Sequence, residues 1–100
     1  MWLLIDDERD LNCDVIARTA KAGKRLLSIV CWDVVCFDHD LGLGETGYDV
    51  LMYAIENELL FNVKKIQLVT SNPVGRAKME TALLMDGWKR LNPMEFVKEL

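Results

Sequence analysis

The sequence has no apolar run close to the length of about 18 residues that a membrane-spanning helix needs. Its first apolar stretch is interrupted at Asp6, which is too early for a signal peptide. The three cysteines cannot all pair and show no CxxC spacing, which favours buried thiols in a reducing compartment over disulfides or a metal cluster. We therefore expect a cytoplasmic protein without a membrane segment.

Positive charge is also scarce, because 16 acidic residues outnumber 12 lysines and arginines and the net charge is −4. The basic residues are scattered along the chain, which excludes a general coat for duplex nucleic acid. The sequence also lacks the patterns of a P-loop, a Ser-His-Asp hydrolase or a zinc site. A small phosphate or nucleotide ligand, a divalent cation and a protein partner remain as candidates.

The composition that is present fits one globular domain over residues 1–100, with 51% hydrophobic and 28% charged residues. Apolar runs alternate with amphipathic segments, which is typical of an α/β fold with a mainly parallel sheet. We expect a flavodoxin-like, three-layer fold with roughly five strands and helices on both faces. The predicted strands cover residues 2–5, 13–17, 32–37, 64–69 and 88–91, and the predicted helices cover residues 20–30, 47–59, 73–86 and 94–100.

The segment 9–31 has two interpretations. In the one we favour, residues 13–17 form a strand, and Thr19 caps a helix over residues 20–30. The alternative places a helix over residues 8–22 and a strand over residues 24–30. The favoured interpretation leaves only about eight residues between strands one and two, fewer than a usual parallel crossover. We therefore expect a shortened first crossover.

Polar residues follow three of the predicted strands. Because parallel strands end at the same edge of a sheet, these residues should line one cleft, where α/β proteins bind their ligands. The group comprises Asp6 and Asp7 after strand one, Asp38, His39 and Asp40 after strand three, and Thr70, Ser71 and Asn72 after strand four.

Four carboxylates of this group, those of Asp6, Asp7, Asp38 and Asp40, would repel one another unless a positive charge offset them. Mg²⁺, or Mn²⁺ in its place, is the natural ligand for such a set. The structural alternative is that Asp7, Glu8 and Asp40 point to solvent and that Asp6 caps a helix.

The only histidine, His39, is the candidate for proton transfer beside Asp38. A structural role for His39 stays open, since its side chain points away from those of Asp38 and Asp40 if the tip is extended.

Thr70, Ser71 and Asn72 precede Pro73, which suits the first turn of a helix. Hydroxyl, amide and backbone N–H groups at a helix N-terminus can hold phosphate, and ordinary capping is compatible with that role. The guanidinium of Arg9 can add a charged donor to the same phosphate.

The chain resembles the response-regulator receiver domain in Asp6-Asp7, Asp38, Thr70 and the Asn92-Pro93 turn. That resemblance implies a metal site at the acids and a phosphoryl acceptor at Asp38. Asn92 stands where receivers carry a lysine before the last proline.

A closer resemblance is to the cyclic-phosphate processing receiver family. The matching motifs are Asp6-Asp7-Glu8-Arg9, Phe37-Asp38-His39-Asp40-Leu41-Gly42, Thr46-Gly47-Tyr48-Asp49-Val50-Leu51 and Ser71-Asn72-Pro73. The family name implies action on nucleotide cyclic phosphates, and such small domains are frequent in bacteria and their phages. The family usually carries a second histidine at the end of strand four, where this chain has Val69.

Three functions follow as hypotheses. The first is a metal-dependent cyclic phosphodiesterase or phosphatase, or a sensor of the same ligand, with Asp38 and His39 as catalytic residues. The second is a non-enzymatic protein-binding module, such as a phage-encoded inhibitor or adaptor of a host protein in the host cytoplasm. The third is a phosphoacceptor receiver labelled at Asp38. Fold alone does not choose among them.

Overall fold

The computed structural model describes residues 1–42 and 44–98. Within these residues the chain forms six strands and three helices in the order β1 (Trp2–Ile5), β2 (Val15–Ala17), α1 (Ala20–Ile29), β3 (Val34–Phe37), α2 (Gly47–Glu56), β4 (Lys65–Leu68), α3 (Pro73–Met85), β5 (Lys89–Arg90) and β6 (Glu95–Val97). The order confirms the receiver-like α/β fold. It also confirms a strand followed by a helix in segment 9–31, with the Thr19 hydroxyl accepting a hydrogen bond from the Ala22 N–H.

The strands form one sheet in the order β2-β1-β3-β4-β6-β5. β2, β1, β3 and β4 are parallel, while β6 runs antiparallel to both β4 and β5. β1 connects to β2 through residues 6–14 without a helix, as the shortened first crossover requires. The carboxyl ends of β1, β3 and β4 therefore lie side by side at one edge of the sheet.

The prediction of a helix over residues 94–100 is wrong. Glu95–Val97 form β6, which pairs with β4, and residues 99 and 100 lie outside the described part of the chain. Alternation explains the strand, because Phe96 is fully buried while its neighbours in β6 are partly exposed. α2 also ends earlier than expected, at Glu56.

All three helices pack on one face of the sheet. Strand residues such as Leu3 and Ile66 share one buried cluster with residues of α1, α2 and α3. Alternate strand residues, such as Leu4 and Cys36, form a second cluster in which no described helix residue takes part. Cys13, from the connection between β1 and β2, packs there instead. The expectation of helices on both faces is thus met on one face only.

Polar side chains of β4 and β6 interact with one another on the second face, which leaves less apolar surface for a helix to cover. Gln67 donates a hydrogen bond from Nε2 to Oε2 of Glu95 at 2.6 Å, and Lys65 pairs with the same carboxylate at 3.0 Å. The Cys36 thiol donates to Oε1 of Gln67, and burial raises the pKa of this thiol to about 11.

No helix within residues 1–42 and 44–98 combines the length and apolar character that a membrane crossing demands.

Candidate functional site

A cleft of about 440 Å³ opens at the carboxyl ends of β1, β3 and β4. Its lining is almost entirely charged, with five carboxylates, one guanidinium and one hydroxyl. The lining residues are Asp6, Asp7, Glu8, Arg9, Asp38, Asp40 and Ser71. The topology therefore brings together most of the residues that the sequence singles out, and adds Glu8, whose place beside Asp6-Asp7 was the available signal.

Three carboxylates form the closest group in the cleft. Asp6, Asp7 and Asp38 each offer one oxygen, and these oxygens lie within 4.8 Å of one another. Asp6 and Asp38 are buried, whereas Asp7 is partly exposed. Asp40 also lines the cleft, but it is exposed and does not belong to this group. A set of hard oxygen donors at this spacing fits Mg²⁺ or Mn²⁺.

Burial raises the pKa of Asp38, and the neighbouring charge of Asp6 adds to the effect. Hydrogen bonds from the Thr70 hydroxyl and the His39 backbone N–H act in the opposite direction, as does the positive charge of Arg9. These interactions offset only part of the effect of burial and of the Asp6 charge on Asp38. A cation beside Asp38 would relieve the repulsion that remains between the two carboxylates.

Arg9 supplies the guanidinium of the cleft. Its Nη1 donates to Oδ2 of Asp6 at 2.9 Å and to the carbonyl oxygen of Val69 at 2.6 Å. Oδ1 of Asp6 accepts the backbone N–H groups of Glu8 and Arg9, which closes a tight turn after β1. Arg9 therefore links the end of β1 to the end of β4, reaching past Asp38.

A second arginine, which the sequence did not single out, holds this turn from the other side. Arg18 follows β2, and its Nη1 donates to the carbonyl oxygens of Arg9 at 2.9 Å and Asp6 at 3.4 Å. Its Nη2 contacts the carboxylate of Asp10. No local pattern reveals such a contact, since it depends on the pairing of β1 with β2.

The polar residues after β4 have separate tasks. Thr70 is buried, and its hydroxyl accepts the Asn72 N–H at 3.1 Å. Ser71 is exposed and lines the cleft. Asn72 caps α3, with Oδ1 accepting the N–H groups of Val74 and Gly75, while its Nδ2 donates to Asp40 at 3.3 Å. Ser71 is thus the exposed donor in this segment, and the cap already uses two N–H groups of the helix.

His39 does not line the cleft with its carboxylate neighbours. Its ring packs against the first turn of α3, so that a Cβ atom at Gly75 would lie 2.2 Å from Cγ of His39. Its Nδ1 is buried and has no hydrogen-bond partner among the described residues. The alternation of side chains along an extended tip predicts this separation from Asp38 and Asp40.

Asn92 also lies apart from the cleft. Its Nδ2 donates to Oε1 of Glu95 at 2.6 Å, and its Oδ1 accepts the N–H groups of Met94 and Glu95. The side chain therefore shapes the turn before β6. Arg9 is the basic side chain that lines the cleft.

Comparison with known proteins gives one family. The sequence model of the cyclic-phosphate processing receiver domain matches residues 1–85, which run from β1 to the end of α3 and include the whole lining of the cleft. No curated protein and no solved structure shows a significant match. Because the match spans most of the sequence, the chain belongs to the cyclic-phosphate processing receiver domain family.

Proposed function

We propose that the cleft binds a divalent cation together with a phosphate ester, and that it hydrolyses a 2′,3′-cyclic phosphate at the end of a nucleotide. The observation that carries the proposal is the group of three carboxylates from Asp6, Asp7 and Asp38, placed between Arg9 and Ser71. Membership of the cyclic-phosphate processing family supports this choice of substrate.

The three carboxylates would hold Mg²⁺ or Mn²⁺, with waters completing the coordination. When bound, the cation supplies positive charge that neutralises the phosphate and orients it in the cleft. Arg9 and Ser71 would bind the other phosphate oxygens, since both line the same cleft and carry N–H or O–H donors. The Thr70 hydroxyl would favour the ionised form of Asp38 that binds the cation, because it lowers the pKa of that carboxyl.

Asp40 is the side chain that we assign to proton transfer. It lines the cleft outside the group of three, and the amide of Asn72 holds it. In the reaction, a water oxygen forms a bond to phosphorus while Asp40 takes a proton from that water. One of the two bonds between phosphorus and a ribose oxygen breaks, and the ribose oxygen leaves as a hydroxyl after it takes up a proton from solvent. His39 has no part in this step, because its ring packs against Gly75.

The experiment is a calorimetric titration with Mn²⁺, followed by turnover of 2′,3′-cyclic AMP with Mn²⁺ present. Asp38→Asn should weaken Mn²⁺ binding by at least about tenfold, because it removes a charged ligand. Asp40→Asn should keep Mn²⁺ binding and lose turnover. Glu56→Gln, which removes an exposed carboxylate at the end of α2, should change neither.

Two results would overturn the proposal. One is the absence of Mn²⁺ binding by the wild-type protein at millimolar concentration. The other is equal binding by the wild type and Asp38→Asn, since the cation would then lie elsewhere. Cation binding without turnover would leave a ligand-binding site and remove the hydrolytic step.

A further inference from the structure

The two oxygens of Asp6 are both in use before any cation binds. Oδ1 accepts two backbone N–H groups of the turn after β1, and Oδ2 accepts Nη1 of Arg9 at 2.9 Å. Asp6 is also buried, so its carboxylate has little freedom to turn away. A cation that takes an oxygen of Asp6 must therefore compete with a hydrogen bond that is already made.

Of the groups that donate hydrogen bonds to Asp6, the Arg9 guanidinium is easier for a cation to displace than the backbone N–H groups. The backbone N–H groups on Oδ1 belong to the fold of residues 6–9, whereas the guanidinium stands at the end of a flexible side chain that is 37% exposed. Electrostatics favour the same exchange, because a divalent cation attracts the carboxylates and repels the guanidinium. Oδ2 is thus the oxygen that Arg9 would release.

Once released from Asp6, the guanidinium could bind phosphate in the same cleft. Arg9 lines the cleft, and its Nε and Nη2 groups have no hydrogen-bond partner in the described part of the chain. Phosphate oxygens in the cleft would offer acceptors that match the planar guanidinium. The Val69 carbonyl, at 2.6 Å from Nη1, keeps the side chain anchored near this position.

We propose that Arg9 is a cation-dependent switch that pairs with Asp6 when no cation is bound and turns to the phosphate when a cation takes Oδ2 of Asp6. This inference rests on the proposed function and adds the order in which the cation and the phosphate bind. Before a cation binds, the Arg9 guanidinium, which among the described residues is the one that lines the cleft, is paired with Asp6. Phosphate meets a free guanidinium only after the cation has bound.

The switch predicts that loss of the Arg9 guanidinium changes the affinities for the cation and for phosphate in opposite directions. Arg9→Met keeps an unbranched side chain in place of the aliphatic part of arginine and removes the competitor for Asp6. It should therefore tighten binding of Mn²⁺ alone, measured by calorimetry without phosphate, by about tenfold. It should also weaken binding of inorganic phosphate to the Mn²⁺-loaded protein by about tenfold.

Two further variants complete the test. Arg9→Lys keeps a positive charge that can still compete for Asp6 but lacks the planar guanidinium that pairs with phosphate, so both effects should be smaller than in Arg9→Met and keep their signs. Arg25→Met is the matched control, because Arg25 is exposed on α1 and has no hydrogen bond or ion pair in the described residues. This control should bind both ligands like the wild type.

The outcomes separate the switch from the proposed function. Mn²⁺ binding that is unchanged or weaker in Arg9→Met overturns the switch and leaves the cation site standing. Absence of Mn²⁺ binding in the wild type and in Arg9→Met overturns both. Binding by Arg9→Met but not by the wild type also overturns both, because Arg9 would then block the cation site instead of releasing Asp6 to it.

Discussion

The imidazole ring of His39 and the backbone of Gly75 occupy adjoining space at the start of α3. A Cβ atom at position 75 would lie 2.2 Å from Cγ and 2.4 Å from Cδ2 of the ring. Only glycine therefore allows the ring to stay where it is. The tip after β3 is docked on α3 by this contact, and Asn72 adds a second one through its hydrogen bonds to Asp40.

Gly75→Ala should accordingly destabilise the protein by about 1–3 kcal/mol, the usual cost of overpacking a filled site. In a His39→Ala background the ring is gone, and the same substitution should become neutral or stabilise by up to about 1 kcal/mol, because alanine favours helix over glycine. Urea unfolding of the four proteins measures the coupling energy.

The cycle contains its own control, since helix propensity acts in both backgrounds and cancels in the coupling energy. Equal effects of Gly75→Ala in the two backgrounds would show that the ring and the glycine do not contact each other.

The close contacts around the site could not be predicted from the sequence. The strand ends could be predicted, because the apolar runs stop at Asp6 and Asp38. Parallel strands bring such ends together at one edge of the sheet. The fit of His39 on Gly75, or of Gly47 on the Asp38 carbonyl, depends on distances between elements. Such distances are fixed only after the helices dock.

The missed strand β6 has a related cause. Residues 94–98 carry one buried side chain, Phe96, and a run this short shows neither a helical nor a strand period clearly. The strand forms because β4 would otherwise leave its second side unpaired, and Asn92 shapes the turn that returns the chain beside it. Both causes are tertiary. The first crossover was predictable because Thr19 marks the start of α1 locally.

Arg18 should control the order of the turn that carries Asp7, Glu8 and Arg9. Arg18→Ala removes hydrogen bonds to the Asp6 and Arg9 carbonyls, and we expect a loss of about 1 kcal/mol in the free energy of unfolding. The backbone N–H groups of Glu8 and Arg9, which donate to Asp6, should exchange with solvent deuterium faster.

Arg25→Ala serves as the comparison, because Arg25 is exposed and has no hydrogen bond in the described residues. If Arg18→Ala matches it in stability and in exchange of these two amides, the turn holds itself through Asp6 alone.

Ionisation of Asp38 should make the cation-free protein less stable as the pH rises. Burial raises the pKa of Asp38 above its ordinary value of 3.8, with Asp6 as a further cause, so the folded state binds the proton more tightly than the unfolded state. Stability from this group is complete at pH values below 3.8 and is lost as the pH rises through the folded-state pKa. Asn carries no charge and avoids this loss.

Asp38→Asn should therefore have the higher Tm at pH 7 in EDTA. Its advantage should shrink as the pH falls toward 3.8, because the folded wild type takes up its proton at a pH above that value. Added Mn²⁺ should reverse the order at pH 7, because a ligand stabilises the protein that binds it. Differential scanning calorimetry across this pH range checks both statements, with Glu56→Gln expected to follow the wild type throughout. A lower Tm for Asp38→Asn at pH 7 in EDTA would mean that hydrogen bonds from Thr70 and His39 outweigh the burial of the charge.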